Sequence, residues 1–112
     1  MEKYTYTDRA GRPRADFAVR VAGDECEPYI GRGGRAFFER GAEIRDGDAG
    51  LFLSGGRAVI RQYCEDWAGN AYLLAINRRR SALDEFIPRS EGRAVCCFGR
   101  LILSRDIPLP ER

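Results

Sequence analysis

The sequence predicts an all-β fold of twisted antiparallel sheets with little helix. Apolar and polar residues alternate with a period of two in several short segments, as expected for strands with one buried face. The 13 glycines and 5 prolines fall largely between those segments, where turns are needed. Strong helical periodicity is absent. A chain of 112 residues is long enough for one domain with a modest core.

The first half of the chain contains four predicted strands. Residues 17–22 alternate, with Phe, Val and Val on one face. Residues 36–39 form a second strand after a glycine-rich turn. Residues 49–53 and 57–63 flank Ser54-Gly55-Gly56, a pattern typical of a β-hairpin.

The second half contains three further extended segments. Residues 71–76 form a strand, and residues 86–87 are extended because a proline follows them. Residues 94–103 are the longest apolar stretch and predict the last strand. A short helical turn fits near residues 25–30 or 81–86.

The composition also predicts domain limits. Residues 1–15 are polar and predict a flexible arm, residues 16–104 form the folded domain, and residues 105–112 form a tail that Pro108 and Pro110 keep out of a strand.

Rare residue types exclude several functions. There is no His, so Ser-His-Asp and Cys-His catalysis and His-ligated zinc are excluded, and we expect no cofactor. A net charge of +2 argues against direct nucleic-acid binding. No apolar run approaches the ~20 residues of a membrane span. Cys26, Cys64, Cys96 and Cys97 lack disulfide or CxxC spacing, which together with the missing signal peptide predicts reduced thiols and a cytoplasmic location.

Residues 21–30, V-A-G-D-E-C-E-P-Y-I, resemble the nucleophile motif V-x-G-D-S-M-x-P-x-I of the LexA-like self-cleaving proteins. That family includes LexA, UmuD and the C-terminal domains of lambda-type phage repressors, and the signal peptidases share its fold. Further segments resemble the family's later motifs in the same order: residues 30–39, 45–53, 56–63, 73–77 and 95–103. The resemblance implies a LexA-like peptidase fold over residues 17–103.

The resemblance breaks at the two catalytic positions. Glu25 stands where the family has its nucleophilic Ser, and Arg61 stands where the family has its Lys base. A hydroxyl attacks a peptide carbonyl only if a neighbouring base accepts its proton. Lys can serve as that base when burial lowers its pKa, whereas Arg stays protonated. We therefore expect a catalytically inactive member in which Glu25 and Arg61 face each other and form an ion pair.

Cys26 offers the strongest alternative, because a thiolate is a better nucleophile than a hydroxyl. A shift of one residue in the alignment would place it in the site. It would still lack a base, and neighbouring carboxylates would raise its pKa.

The resemblance implies a dimerisation or regulatory module of a phage-type transcriptional regulator. Relatives dimerise near the closing strand, and an apolar strand at a sheet edge favours a partner. The homodimer candidates are Phe98, Leu101, Ile102 and Leu103. The alternatives are a self-cleaving peptidase that uses Cys26, or a stand-alone domain that binds a full-length repressor or another cytoplasmic protein.

Two other features have simpler interpretations. Arg78-Arg79-Arg80 is more often a solvated loop than a phosphate contact, and Trp67 is expected to pack on the sheet beside its turn.

Overall fold

The structure, a computed structural model, describes residues 15–109. Within this range seven strands form one antiparallel sheet in the order β1-β2-β7-β3-β4-β5-β6. The strands are β1 (Phe17–Arg20), β2 (Arg35–Glu39), β3 (Ala49–Ser54), β4 (Arg57–Glu65), β5 (Ala71–Leu74), β6 (Glu85–Ile87) and β7 (Cys97–Ile102). Two short 3-10 helices, Arg78–Leu83 and Arg89–Glu91, lie on either side of β6. The predicted all-β fold is confirmed.

The β3–β4 hairpin forms the centre of the sheet. Its tip is Gly55-Gly56, and both residues have positive φ (57° and 78°), which favours glycine and matches the twist of a tight hairpin. The tip fixes a register in which Leu51 lies opposite Ile60 and Gly50 lies opposite Arg61. Arg61 on β4 therefore lies beside β3, and β3 pairs with β7 on its other side.

The core lies mainly between β1, β2, β7 and the middle of the hairpin. Phe17 and Phe38 stack there with their ring centroids 5.1 Å apart. Both rings are buried, as are the nearby Val21 and Cys26. Truncation of one such ring typically costs ~3–5 kcal/mol, so this cluster is a main source of stability.

The C-terminal part of the described chain packs back on the sheet. Ile107 contacts the main core cluster. The buried Gln62 amide donates to the carbonyl oxygens of Gly47 (3.1 Å), Ile107 (3.2 Å) and Pro108 (3.4 Å). The predicted limits of the arm and tail stay predictions, since residues 1–14 and 110–112 lie outside the described residues.

The dimer prediction assumed that the last strand lies at an edge of the sheet, but the structure places this strand in the interior. β7 pairs with β2 on one side and with β3 on the other. Leu101 is buried in the chain's own core, Ile102 and Leu103 are half-buried, and Phe98 is 42% exposed. The edge argument is therefore wrong. The homodimer stays a prediction that must use other surfaces or the exposed ring of Phe98.

Among residues 15–109, the structure contains no helix that is long and apolar enough to cross a membrane.

Candidate functional site

The turn of residues 23–30, here the Glu25 turn, joins β1 to the segment before β2. Its base is closed by two backbone hydrogen bonds, from the Val21 N–H to the Gly34 carbonyl (2.8 Å) and from the Gly33 N–H to the Val21 carbonyl (2.7 Å). Inside the turn, the Tyr29 and Ile30 N–H groups both donate to the Cys26 carbonyl at 3.0 Å. The local chain is therefore held in one conformation around Glu25 and Cys26.

Asn77, which follows β5, attaches the Glu25 turn to the rest of the sheet. Its backbone N–H donates to the Glu25 carbonyl (2.9 Å), and its side-chain amide donates to the Asp24 carbonyl (2.8 Å). The Asn77 side-chain oxygen accepts from the Arg79 N–H (3.1 Å) and caps the following 3-10 helix. Asn77 is buried, so these bonds are shielded from water.

An Asp24–Arg80 ion pair adds a second attachment. Arg80 Nε and Nη2 donate to the two carboxylate oxygens at 2.9 and 2.7 Å, a bidentate geometry. This pair lowers the pKa of Asp24 and raises that of Arg80. Arg78 makes a similar pair with Asp84, at 3.0 and 2.8 Å. All three residues of Arg78-Arg79-Arg80 are exposed, as the interpretation of a solvated segment requires, and two of them also form these ion pairs.

Arg61 lies half-buried on β4, within electrostatic reach of the Glu25 turn. Its pKa is lowered, chiefly because burial penalises the charged guanidinium, while the charges of Glu25, Cys26 and Asp84 act in the opposite direction. Arginine nevertheless remains protonated in proteins. Arg61 therefore brings a fixed positive charge, and no proton acceptor, to this site.

The structure brings Glu25 and Arg61 into one site, but the predicted direct ion pair is not formed between these two described residues. Arg61 Nη1 instead donates to the Ile60 carbonyl at 2.8 Å. Glu25 turns back over Gly23, where a Cβ atom would lie 3.1 Å from the carboxylate oxygen Oε2. The attachment of the turn is made by Asp24 and Arg80 instead.

Cys26 is fully buried and belongs to the main core cluster. Its pKa is raised to about 12, first by burial and then by the charge of Glu25, while Arg61 offsets this only in part. The thiol is therefore protonated at neutral pH and is a poor nucleophile. This environment does not support the Cys26 alternative.

Within the described range, no group of three or more His, Cys, Asp or Glu side chains is arranged to hold a metal ion. All four cysteines of the sequence, which lie inside that range, are reduced. The expectation of no cofactor stays a prediction.

The seven-stranded, nearly all-β sheet is consistent with the fold that the motif resemblance implies. The sequence profile of the family described as Peptidase S24-like matches residues 1–95. The chain belongs to this family, which confirms the resemblance drawn from its motifs. No curated protein and no solved structure gives a significant match.

Proposed function

We propose that this chain is a catalytically inactive Peptidase S24-like domain that serves as a dimerisation or regulatory module. The observation that supports the proposal is that Arg61 and Glu25 act on each other electrostatically. By the motif resemblance these two residues stand where the family has its Lys base and its Ser nucleophile. Neither residue can perform the role of the residue it replaces, since Glu25 has no hydroxyl and Arg61 cannot accept a proton.

The contacts around the site support a structural role in place of a catalytic one. Asn77 and Arg80 hold the Glu25 turn from a segment more than 50 residues away in sequence. Such long-range contacts favour a single fixed conformation of the Glu25 turn and of the surface around it. We place the domain in the cytoplasm, in a phage-type or SOS-type transcriptional regulator, as part of the same proposal; its reduced cysteines support that location.

The catalytic part of the proposal is tested by intact-mass spectrometry. The purified chain and its Cys26→Ala variant are incubated for days at alkaline pH, which increases the small thiolate fraction of Cys26. Both should keep their full masses. A discrete truncation in the unmodified chain that is missing from Cys26→Ala would overturn the proposal and support a thiol peptidase.

The oligomerisation part is tested by multi-angle light scattering over a wide range of concentration. We expect a species of at least twice the chain mass of 12.6 kDa. A chain that stays at 12.6 kDa up to the highest soluble concentration would contradict this part alone.

A further inference from the structure

Two large apolar side chains outside the strands differ in what lies under them. Trp67 is 98% exposed on the turn between β4 and β5, so the expectation that it packs on the sheet is wrong. Leu109 is 50% exposed and leans on the turn at Gly47, where an added Cβ atom would lie 3.3 Å from Leu109 Cδ2. Leu109 belongs to a segment after β7, residues 104–109, here the strap.

The strap packs on the sheet without joining it. Among the described residues, no backbone hydrogen bond connects the strap to another segment. Its hydrogen bonds to the sheet come from the Gln62 side-chain amide, which donates to the Ile107 and Pro108 carbonyl oxygens. Gln62 is 1% exposed, and Ile107 is the strap residue that packs against the main core cluster. One buried side chain of β4 therefore makes the strap's polar attachment within the described range.

Open space lies on both sides of the strap. A cavity of about 690 Å³ lies between the strap, β2 and β7. A second cavity of about 340 Å³ lies between the strap and the Glu25 turn, with Tyr29 and Ile76 in its wall. Protein interiors leave few voids larger than a water molecule, so the strap is packed more loosely than the sheet. Segments with few buried contacts and few hydrogen bonds open at a fraction of the free energy of global unfolding.

The strap also covers part of the Glu25 turn. The Arg105 guanidinium carbon lies 4.7 Å from the centroid of the Tyr29 ring, a cation–π contact. Tyr29 is fixed within the turn by the bond from its N–H to the Cys26 carbonyl. Detachment of the strap would uncover this ring together with the Gln62 amide and Ile76, which is 4% exposed.

We infer that the strap is a detachable cover, which opens as a unit while the sheet stays folded and joins the two cavities into one groove beside the Glu25 turn. Ile107 and Leu109 line both cavities, so their departure connects the two spaces. The closed strap hides the groove, and the fraction of open molecules sets how much of it is accessible. This inference goes beyond the proposed function and holds whether or not the domain oligomerises.

The test is thiol labelling without denaturant and at low urea, read residue by residue in a peptide map. Ile76→Cys, in a background with Cys96→Ser, places a thiol beneath the strap. Cys26 and Cys64 are 0% exposed and serve as internal references for global unfolding. The introduced thiol should react at least ~10-fold faster than either reference, because local opening needs less free energy. Its rate should barely change with urea, since opening of six residues exposes little surface. Leu73→Cys, at a buried site of the second core cluster, is the matched control and should follow the references.

Gln62→Met tests the attachment, because it removes the amide but keeps a long buried side chain. It should speed labelling of the thiol introduced at position 76 by roughly 2- to 10-fold, the effect expected from loss of one hydrogen bond, and the rate should stay insensitive to urea.

A second measurement uses the unmodified chain and needs no introduced thiol. Hydrogen exchange of the Gln62 side-chain amide, followed by NMR, should be insensitive to low urea, whereas the backbone amides of β3 and β4 should exchange faster as urea rises. Exchange and labelling that follow the urea dependence of the sheet would overturn the inference, because the strap would then open only with the whole domain. Labelling of the introduced thiol as fast as that of an unfolded chain would also overturn it, because the strap would then cover nothing.

Discussion

Asn77→Ala should release the Glu25 turn from the sheet. The substitution removes two side-chain hydrogen bonds, the 2.8 Å bond to the Asp24 carbonyl and the 3.1 Å bond from the Arg79 N–H, but keeps the backbone bond to Glu25. At ~0.5–1.5 kcal/mol for each bond, the free energy of unfolding should fall by ~1–3 kcal/mol. This is a large part of the ~5–15 kcal/mol of a typical domain.

The assay is urea unfolding followed by far-UV circular dichroism, because Trp67 is already exposed in the native state and is a weak fluorescence probe. Asn70→Ala is the matched control. Its side chain also makes two hydrogen bonds, to Asp66 (3.0 Å) and from the Arg89 N–H (2.9 Å), but in a turn that water reaches more easily. Its loss should be smaller than that of Asn77→Ala, because water can replace hydrogen bonds lost in a more exposed turn. Equal losses in the two variants, or a loss below ~0.5 kcal/mol in Asn77→Ala, would refute the reasoning.

Three further outcomes are expected. Because the folded-state pKa of Asp66 is about 2, below its ordinary 3.8, its contribution to stability is present above pH 3.8 and is lost as pH falls toward 2; Asp66→Asn should flatten this part of a stability-against-pH curve. In Ellman's assay at mildly alkaline pH the exposed Cys96 should react quickly, while Cys26 should react only after denaturation; fast labelling of Cys26 in a peptide map would contradict its burial. Phe38→Ala should lower the free energy of unfolding by ~3–5 kcal/mol and Phe86→Ala by far less, since the first ring is fully buried and the second is 52% exposed; similar losses would contradict the assigned core.

The strands were largely predictable because they depend on local pattern. The alternation in residues 17–20 and the Gly55-Gly56 tip are local signals, and both appear in the structure where expected. β7 starts at Cys97, later than residue 94, and its pairing with β3 is interrupted by a shift of register between Leu51 and Phe52. Its interior position was missed because strand order depends on pairing across the whole chain, on which periodicity carries no information.

The candidate site was predictable in position but not in its contacts. The family motif located Glu25 and Arg61, and residues 73–77 of a second motif end at Asn77. The Asp24–Arg80 pair joins residues that are 56 positions apart in the sequence. Asp24 directly precedes the predicted site residue Glu25, and Arg80 is the last residue of the arginine run 78–80. The acidic turn and the arginine run were the available signals, but which carboxylate meets which guanidinium depends on side-chain geometry.

The central claim is that the positions of Glu25 and Arg61 do not support peptide cleavage. The most direct measurement compares two proteins by intact mass after the same alkaline incubation. Both carry Cys26→Ala; one keeps Glu25 and Arg61, and the other also carries Glu25→Ser and Arg61→Lys. The Cys26→Ala chain that keeps Glu25 and Arg61 should remain at full length, while the variant with Ser and Lys has the chemical groups for cleavage and is the positive control. Discrete truncation of the chain that keeps Glu25 and Arg61 would contradict the account.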